Sequence, residues 1–316
     1  MKDYILNYYL KFKCIAGDCK HTCCACWETD IDSKTLNYYK TDNSPYSQTL
    51  KKGINFKKST FKQDKNKRCV FLNANGLCEI ILNLGEDKLC KICSAHPRFK
   101  SNFTAFSETG LGFCCEEATK IILSMKEKIE PVLISDDNAE SEVDLLENLV
   151  IDFRNKAIEI IQDRALPINE RIKKLLNFCN FGLCEKDYKK IVKALFSLEI
   201  LNKSWKLRLK SIKNNQNELL VDNNLSIYCE QFLVNSLYRH ISTAEDTFVA
   251  HAITILLVYL WLIIEKIFKE EVLAGSEFII LCDTVREFSA EVEYSEKNTK
   301  KLFNFACKLL KQNFTK

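Results

Sequence analysis

The sequence predicts a mainly α-helical protein, in which an irregular, cysteine-rich N-terminal region packs on an α-helical bundle. Eleven of the 16 cysteines lie between Cys14 and Cys115, and six of the eight glycines lie at or before Gly112. From Glu116 onward glycine is rare, and apolar residues recur at helical spacing. Strands and helices do not alternate along the chain, so we do not expect a Rossmann sheet.

These contrasts predict a cysteine-rich metal-binding region at residues 1–120 and an α-helical domain at residues 121–316, together forming one compact unit. One helix needs separate treatment. Residues 248–264 read FVAHAITILLVYLWLII, seventeen residues without a formal charge, which is the shortest length that spans a membrane. Glu265 and Lys266 follow directly. We therefore expect a buried central helix and no membrane span.

The overall composition excludes several classes of protein. With 47% hydrophobic and 28% charged residues, the chain is expected to be globular and not disordered. A net charge of +4 is too small to predict a nucleic-acid partner. The opening segment MKDYILNYYLKFKC lacks the apolar run of a signal peptide, which predicts a cytoplasmic protein. Thiols stay reduced in the cytoplasm, so crowded cysteines there favour metal binding over disulfides.

The early cysteines form two clusters and a late pair. The clusters read CIAGDCKHTCCACW and RCVFLNANGLCEIILNLGEDKLCKICSAHPR, and the pair is Cys114 and Cys115. Cys90 and Cys93 have the Cys-x2-Cys spacing at which two thiolates of one turn reach the same metal ion. Four such thiolates suit tetrahedral zinc or an iron–sulfur cluster. The spacing leaves open whether there is one site or two.

Two other interpretations of the cysteines stay open. Cys19, Cys23 and Cys26 are spaced as Cys-x3-Cys-x2-Cys, the pattern with which radical S-adenosylmethionine enzymes hold a 4Fe-4S cluster with one open iron. Such enzymes usually carry this pattern on a partial α/β barrel, and the sequence has no barrel rhythm. A non-catalytic module that binds iron or zinc is the other alternative.

Segments spread over most of the chain resemble the flagellin lysine-N-methylase family, which methylates lysines of bacterial flagellin. They read KFKCIAGDCKHTCCACWETDID, RCVFLNANGLCEI, LGEDKLCKICSAHPR, LGFCCEEA and, near the C-terminus, REFSAEVEYSEKN. The resemblance implies S-adenosylmethionine as methyl donor, a 4Fe-4S iron–sulfur cluster with zinc as the alternative, and flagellin as protein partner. It assigns nine cysteines to metal binding: Cys14, Cys19, Cys23, Cys24, Cys69, Cys78, Cys90, Cys93 and Cys115.

The chain departs from the family pattern at several positions. Cys26 and Cys114 stand where other small residues are expected, which counts against the radical pattern because that pattern needs Cys26. Glu116 stands in place of proline, and Tyr294 in place of histidine. Tyr294 therefore puts a histidine-based catalytic role at its position in doubt.

Methyl transfer to lysine requires a neutral amine held in line with the methyl group. The candidates for binding this amine or accepting its proton are Glu291, Glu293 and Tyr294. On a continuous helix Glu291 and Tyr294 would share one face, and Glu293 would point away from Glu291.

Arg98, Trp27 and Asn298 are the candidate cofactor-binding residues. Arg98 is suited to the carboxylate of S-adenosylmethionine, and Trp27 to shielding a metal centre from water. Asn298 lies close to the candidate glutamates in sequence. No Gly-x-Gly-x-x-Gly follows a strand, so S-adenosylmethionine is expected to bind in a geometry other than that of a Rossmann fold.

Overall fold

The computed structural model describes residues 1–25, 27–137, 144–212, 219–272 and 275–314, so Cys26 lies outside the described residues. The chain divides into two compact units. The cysteine unit comprises Lys13–Phe99 and Cys115–Glu117, and the helical unit comprises Met1–Phe12, Lys100–Cys114 and Ala118–Lys316. This division differs from the predicted boundary at residue 120, because two segments of the N-terminal third pack with the helices.

Helices dominate the described part of the chain, which confirms the prediction of a mainly α-helical protein. They are α1 (Ser33–Thr41), α2 (Ser47–Lys52), α3 (Glu79–Leu84), α4 (Lys91–Ala95), α5 (Glu116–Ser124), α6 (Leu145–Ile161), α7 (Ile168–Phe178), α8 (Glu185–Phe196), α9 (Lys203–Ser211), α10 (Ser226–His240), α11 (Thr247–Glu271), α12 (Glu277–Phe288) and α13 (Glu296–Phe314). The strands are β1 (Lys2–Leu6), β2 (Ile54–Asn55), β3 (Thr60–Phe61), β4 (Arg98–Asn102), β5 (Phe106–Leu111) and β6 (Pro131–Asp136).

The apolar helix predicted at residues 248–264 is α11, the central helix of the helical unit. It packs against α10, α12 and α13. Its N-terminus is capped by Asp246, whose carboxylate accepts the N–H of Val249 at 2.8 Å. Within the described residues, α11 is the helix long and apolar enough to cross a membrane, and 78% of its most apolar window is buried inside the protein. This burial favours the predicted core helix.

A four-stranded mixed sheet in the order β4-β5-β1-β6 was not predicted. β1 runs parallel to β5 and antiparallel to β6, and Lys2 lies opposite Phe106 in the parallel pair. The strands are five or six residues long, and β1 pairs with strands more than 100 residues away, so local periodicity carries little information about the sheet.

A buried ion pair joins this sheet to the helices. Arg154 in α6 and Glu108 in β5 form two parallel hydrogen bonds of 2.5 and 3.0 Å, and their side chains are only 3% and 6% exposed. The guanidinium also lies over the ring of Tyr238 in α10, 4.7 Å from its centroid. One side chain thus connects a strand and two helices.

The cysteine unit has a small apolar core of its own. The buried members are Ile31, Leu36, Tyr39, Leu50, Ile54, Phe61, Phe71, Ile80 and Cys90. Phe61 and Phe71 meet edge to face with centroids 5.4 Å apart, and Phe61 belongs to the β2–β3 hairpin. Few apolar side chains stabilise this unit, and a bound metal would add to its folding free energy.

Replacing Glu108 with alanine should destabilise the helical unit by about 3–5 kcal/mol, because the buried guanidinium of Arg154 loses its counter-charge. Urea unfolding followed by circular dichroism measures the change. Glu159→Ala is the matched control. Glu159 pairs with Lys156 at 2.8 Å, but these side chains are 70% and 52% exposed, and the loss should stay below about 1 kcal/mol. Equal losses in the two variants would contradict the dependence on burial.

Candidate functional site

All nine cysteines that were predicted to bind metal belong to the cysteine unit. Eight of them lie within Lys13–Phe99, and Cys115 joins them through the short segment Cys115–Glu117. Cys114, which departs from the family pattern, belongs to the helical unit. The boundary between the two units therefore falls between Cys114 and Cys115, and of these two cysteines only Cys115 matches the family pattern.

Four of the nine cysteines surround the apolar core of the cysteine unit. Cys90 is buried within that core, and Cys69, Cys78 and Cys93 pack against it. Leu72 and Cys78 form an isolated β-bridge, which holds the second cluster in a tight turn. Burial raises the pKa of Cys69 to about 12 and also raises the pKa of Cys78. These thiols are therefore poorly solvated.

Two pairs of thiols share a hydrogen bond. The thiol of Cys93 donates to Cys90, which lowers the pKa of Cys90 and raises that of Cys93. In the same way Cys23 donates to Cys24, and the pKa of Cys24 falls to about 7. Each pair thus contains one sulfur that releases its proton readily and one that keeps it. The predicted Cys-x2-Cys chelate brings its two sulfurs together.

A second set of cysteines lies where the chain returns to the unit at Cys115–Glu117. A carboxylate oxygen of Glu116 accepts the backbone N–H of Lys20 at 3.1 Å. The same oxygen lies 3.9 Å from the sulfur of Cys19, which donates to it. Glu116, which stands where the family has proline, therefore fastens this returning segment to the first cysteine cluster.

The thiols of this second set shift one another's pKa values. Burial raises the pKa of Cys19, and the neighbouring thiols of Cys115 and Cys14 raise it as well. Cys23 interacts electrostatically with the same two thiols. Cys14 and Cys23 are exposed to solvent. Cys19 and Cys115 are partly buried, so exposure does not extend to the whole set.

A glycine holds the loop between Cys14 and Cys19 against the turn that precedes Cys78. A β-carbon at Gly17 would stand 2.7 Å from the carbonyl oxygen of Asn75, closer than real side chains approach. A larger residue would push the two loops apart. Glycine at this position thus brings the two cysteine clusters together within the unit.

The cysteine unit contains sulfur donors that suit a metal ion, but these donors are not arranged around a common centre. Among the described residues of the chain, no three histidine, cysteine, aspartate or glutamate side chains converge closely enough to hold one metal ion. The thiols of Cys23 and Cys24, and those of Cys90 and Cys93, are hydrogen-bonded to each other through their protons. Metal binding would displace these protons and require the thiols to rotate toward a common centre.

Trp27 and Arg98, two predicted cofactor-binding residues, both contact His96 in the cysteine unit. The ring of Trp27 meets the ring of His96 edge to face at 5.4 Å, and its indole N–H donates to the carbonyl of Cys23. Arg98 is exposed and donates to the carbonyl oxygens of His96 and Ser94 at 3.4 Å. The aromatic ring of Trp27 and the guanidinium of Arg98 therefore both lie beside His96.

The segment that carries the predicted catalytic residues is not one continuous α-helix. A π-helix runs over Ser289–Glu293 between α12 and α13, and α13 begins only at Glu296. The helix face that Glu291 and Tyr294 would share on a continuous α-helix is therefore not formed. Such π-helical turns carry an extra residue and often occur at functional sites.

Glu291 and Asn298 fasten the loop before α9 to this segment. The carboxylate of Glu291 is 3% exposed and accepts the backbone N–H of Leu201 at 2.8 Å. Burial raises the pKa of Glu291 to about 7, although backbone amides lower it. The side-chain amide of Asn298 bonds the backbone N–H and carbonyl of Glu199 and the carbonyl of Glu291. These bonds use all its hydrogen-bonding groups within the protein.

Glu293 lies at the centre of a polar cluster in the helical unit. Its carboxylate bonds His240 Nε2 at 2.7 Å, lies 3.5 Å from Arg239 Nη1, and accepts the hydroxyl of Ser289. Burial alone would raise the pKa of Glu293, but Arg239 and His240 lower it to about 2. Glu293 is therefore ionised, and Glu291 and Glu293 lie in environments that shift their pKa values in opposite directions.

Tyr294 belongs to the same polar cluster. The guanidinium of Arg239 lies over its ring, 4.5 Å from the centroid, and the hydroxyl of Tyr294 bonds the thiol of Cys114. Burial raises the pKa of Tyr294 well above its ordinary value, although Arg239 opposes the rise. Gly112 leaves room for this contact, since a β-carbon there would collide with the Tyr294 hydroxyl and with Arg239.

The sequence analysis missed Arg239 and His240. They end α10, where both would be read as a polar helix terminus. The signal that was present is their adjacency at the end of a helix that is buried on nearly every side. Only the fold brings this pair to Glu293, more than 50 residues along the chain.

Gly112→Ala should destabilise the protein by about 1–3 kcal/mol, because Tyr294 and Arg239 must both move to admit the methyl group. Urea unfolding measures the loss, and tyrosine fluorescence reports the displaced ring. Gly182→Ala is the matched control, since nothing lies within 4 Å of a β-carbon at that position. If both variants unfold at the same urea concentration, the close packing at Gly112 is refuted.

Curated relatives were found for part of the chain. A lysine-N-methylase of Salmonella typhimurium is 25% identical over 125 residues, which cover 37% of this chain and 31% of the relative. A lysine-N-methylase of Salmonella choleraesuis is 26% identical over 121 residues, which cover 36% of this chain and 30% of the relative. The flagellar biosynthetic protein FliU of Salmonella muenchen is 26% identical over 121 residues, covering 36% of this chain and 72% of the relative.

No protein-family model matches the chain, and no solved structure matches it. The chain spans less than a third of the length of the two lysine-N-methylases. Even so, these relatives confirm the resemblance that the sequence motifs predicted: over about 36–37% of its length, the chain is similar to curated lysine-N-methylases and to a flagellar biosynthetic protein.

Proposed function

We propose that this chain is a cytoplasmic, S-adenosylmethionine-dependent protein-lysine N-methyltransferase that acts on flagellin and contains an iron–sulfur centre. The similarity to two curated lysine-N-methylases carries the proposal of the reaction. The similarity to a flagellar biosynthetic protein supports a flagellar substrate. The burial of α11 inside the helical unit supports a protein that lies free of the membrane.

The chemistry of the thiols supports a metal centre in the cysteine unit. The nine cysteines assigned to metal all belong to this unit, and sulfur donors of this number suit iron–sulfur clusters or zinc. A thiol with a lowered pKa, such as Cys24 with a pKa of about 7, readily binds a metal as a thiolate. When bound, an iron–sulfur cluster would supply redox capacity and iron that accepts ligands.

Two glutamates with opposite pKa shifts support a division of roles in handling the lysine amine. Glu293, with a pKa of about 2, is too weak a base to take a proton and instead holds Arg239 and His240 in place. Glu291, with a pKa of about 7, has the proton affinity of a general base at neutral pH. Opposite shifts in neighbouring carboxylates often mark such assignments. We assign proton acceptance to Glu291 and electrostatic positioning to Glu293 with Tyr294.

The predicted cofactor-binding residues fit S-adenosylmethionine unequally. Arg98 presents an exposed guanidinium, which suits a carboxylate, and Trp27 offers an aromatic face in the same unit. Asn298 does not fit, because its amide is already hydrogen-bonded to backbone groups on both sides. Arg98 and Trp27 are therefore the residues that we propose for this cofactor.

Anaerobically purified protein should transfer a labelled methyl group from S-adenosylmethionine to lysines of flagellin, as measured by mass spectrometry of tryptic peptides. Glu291→Gln should lower the rate by tenfold or more, about 1.4 kcal/mol in the barrier, because it removes the base. In the wild type the rate should rise as pH passes through about 7, since Glu291 must be deprotonated to accept a proton. This rise should be lost in Glu291→Gln.

Glu296→Gln is the control for this experiment, because Glu296 is an exposed glutamate of the same segment. It should leave the rate unchanged. Absence of transfer by protein that has kept its metal would support the non-catalytic metal-binding module. Formation of 5′-deoxyadenosine would support the radical alternative, whose third cysteine, Cys26, lies outside the described residues.

The purified protein should be brown and should contain iron together with acid-labile sulfide, both lost on oxidation in air. Elemental analysis and visible absorption spectroscopy measure these properties. The quadruple variant Cys69→Ser, Cys78→Ser, Cys90→Ser, Cys93→Ser should lose most of the metal. Cys184→Ser, at an exposed cysteine of the helical unit, should keep all of it. If the protein is colourless and contains stoichiometric zinc, its metal centre is zinc and not an iron–sulfur cluster.

A further inference from the structure

The net charge of the chain is concentrated in one short segment. The helical unit has 31 basic and 31 acidic residues, so the cysteine unit carries the whole net charge of +4. Residues 51–68 hold eight lysines and arginines against one acid, Asp64, which is a net charge of +7. The rest of the cysteine unit has seven basic and ten acidic residues, a net charge of −3. The segment is therefore far more positive than the chain as a whole.

Two consecutive turns hold this segment in place. In the β2–β3 hairpin, the side-chain oxygen of Asn55 accepts the backbone N–H groups of Lys57 and Lys58, both at 3.2 Å. In the next turn, the carboxylate of Asp64 accepts two backbone N–H groups that follow it in the chain, at 2.8 and 2.9 Å. Phe61, which lies between the turns, is buried in the core of the cysteine unit. The segment is therefore ordered, and its one acidic side chain is bonded to backbone amides.

The basic side chains of these turns are exposed. We call six of them the basic surface: Lys57, Lys58, Lys62, Lys65, Lys67 and Arg68. In the part of the chain that the structure describes, one ion pair involves this surface: Lys58 lies 3.9 Å from Glu28, and these side chains are 66% and 57% exposed. Such an exposed pair contributes little. Lys62 donates to the backbone carbonyl of Lys52 at 2.8 Å. The basic surface thus keeps most of its charge available to a partner.

This surface suits a carboxylate-rich protein segment better than it suits a nucleic acid. Single-stranded nucleic acids stack their bases on exposed aromatic rings along an extended basic groove. The aromatic residues of the segment are Phe56 and Phe61. Phe56 packs against the apolar core with the ammonium of Lys40 over its ring, 5.8 Å from the centroid, and Phe61 is buried. Neither ring can therefore serve as a stacking platform, whereas exposed lysines and arginines pair readily with carboxylates.

The basic surface adjoins the first cysteine cluster. Arg68 forms an isolated β-bridge with Ala25. The next residue, Cys69, donates its backbone N–H to the carbonyl of Cys24 at 2.8 Å. A partner bound to the basic surface would therefore lie beside cysteines that are predicted to bind metal.

We propose that the basic surface docks an acidic segment of the protein that is methylated, separate from the lysine that accepts the methyl group. The surface repels a lysine side chain, so it does not bind the acceptor lysine itself. Docking of a second segment raises the effective concentration of that lysine at the enzyme. Opposite charges also speed the encounter of the two proteins. This inference rests on the proposed function, because it takes the methylated protein as the partner.

The first measurement is the binding of a fluorescein-labelled oligoglutamate peptide to the full chain, followed by fluorescence anisotropy. The triple variant Lys57→Glu, Lys58→Glu, Lys65→Glu should weaken binding about tenfold or more, because the reversed charges repel the peptide. Added salt should weaken binding to the wild type, since the charges involved are exposed. Because the three side chains are exposed, the far-ultraviolet circular dichroism of this variant should be unchanged.

The control is a second triple variant, Lys173→Glu, Lys186→Glu, Lys206→Glu, at exposed lysines of α7, α8 and α9 in the helical unit. Both variants change the net charge of the chain from +4 to −2. The control should bind the peptide within about twofold of the wild type, because its changes lie outside the basic surface. Equal losses in the two variants would overturn the proposal. Tighter binding of a labelled oligouridylate of the same length would also overturn it, in favour of a nucleic-acid surface.

Kinetic measurements with flagellin connect the basic surface to the reaction. In the variant of the basic surface, KM for flagellin should rise about tenfold while kcat changes less than about twofold, because docking is lost and the chemical step is kept. The control variant should keep both values. Normal methyl transfer with an unchanged KM would refute the docking surface and keep the methyltransferase. Peptide binding as expected without any methyl transfer would refute the methyltransferase and leave a docking surface for an acidic protein.

Discussion

Much of this structure depends on one constraint: many thiols lie close together in a unit that has little apolar core to stabilise it. A protonated thiol is a weak hydrogen-bonding group, and burying several of them contributes little to stability. The unit meets this constraint by pairing sulfurs, as at Cys90 and Cys93, and by directing backbone amides toward them. Pairing lowers the pKa of Cys90 and raises that of Cys93, and the backbone amides oppose the rise that burial causes at Cys78, so both arrangements help some of the sulfurs to bind a metal as thiolates.

The helical unit solves a different electrostatic problem around Glu293. A buried carboxylate would ordinarily take up a proton, but Arg239 and His240 keep Glu293 charged. The cost of burying Arg239 is offset by three contacts: the carboxylate of Glu293, the ring of Tyr294 and the hydroxyl of Tyr294. Tyrosine can occupy a position where the family has histidine because its ring and hydroxyl both engage this cation. The charges of Arg239 and Glu293 therefore balance each other within the polar cluster.

The features that could be predicted from the sequence are those that depend on residues close together in the chain. The helical remainder after Glu116, the buried α11 and the adjacency of Cys90 and Cys93 depend on periodicity or short spacing. The sheet was missed because nearly all of the cysteine unit lies in the chain between β1 and its partner β5. The π-helix at Ser289–Glu293 was missed because tertiary packing, and not local propensity, selects the extra residue. Arg239 and His240 were missed for the same reason, since their role exists only once α10 meets α12.

The parallel pairing of β1 with β5 also has a kinetic consequence. Lys2 pairs with Phe106, so this contact closes a loop that contains nearly all of the cysteine unit. Closing so long a loop costs conformational entropy before any hydrogen bond of the sheet can compensate for it. The pairing of β1 with the outer strand β6 closes a still longer loop, since Lys2 lies opposite Asp136. We expect the sheet to form late, after local helices, so that a newly made chain exposes the edges of its strands for longer than its helices.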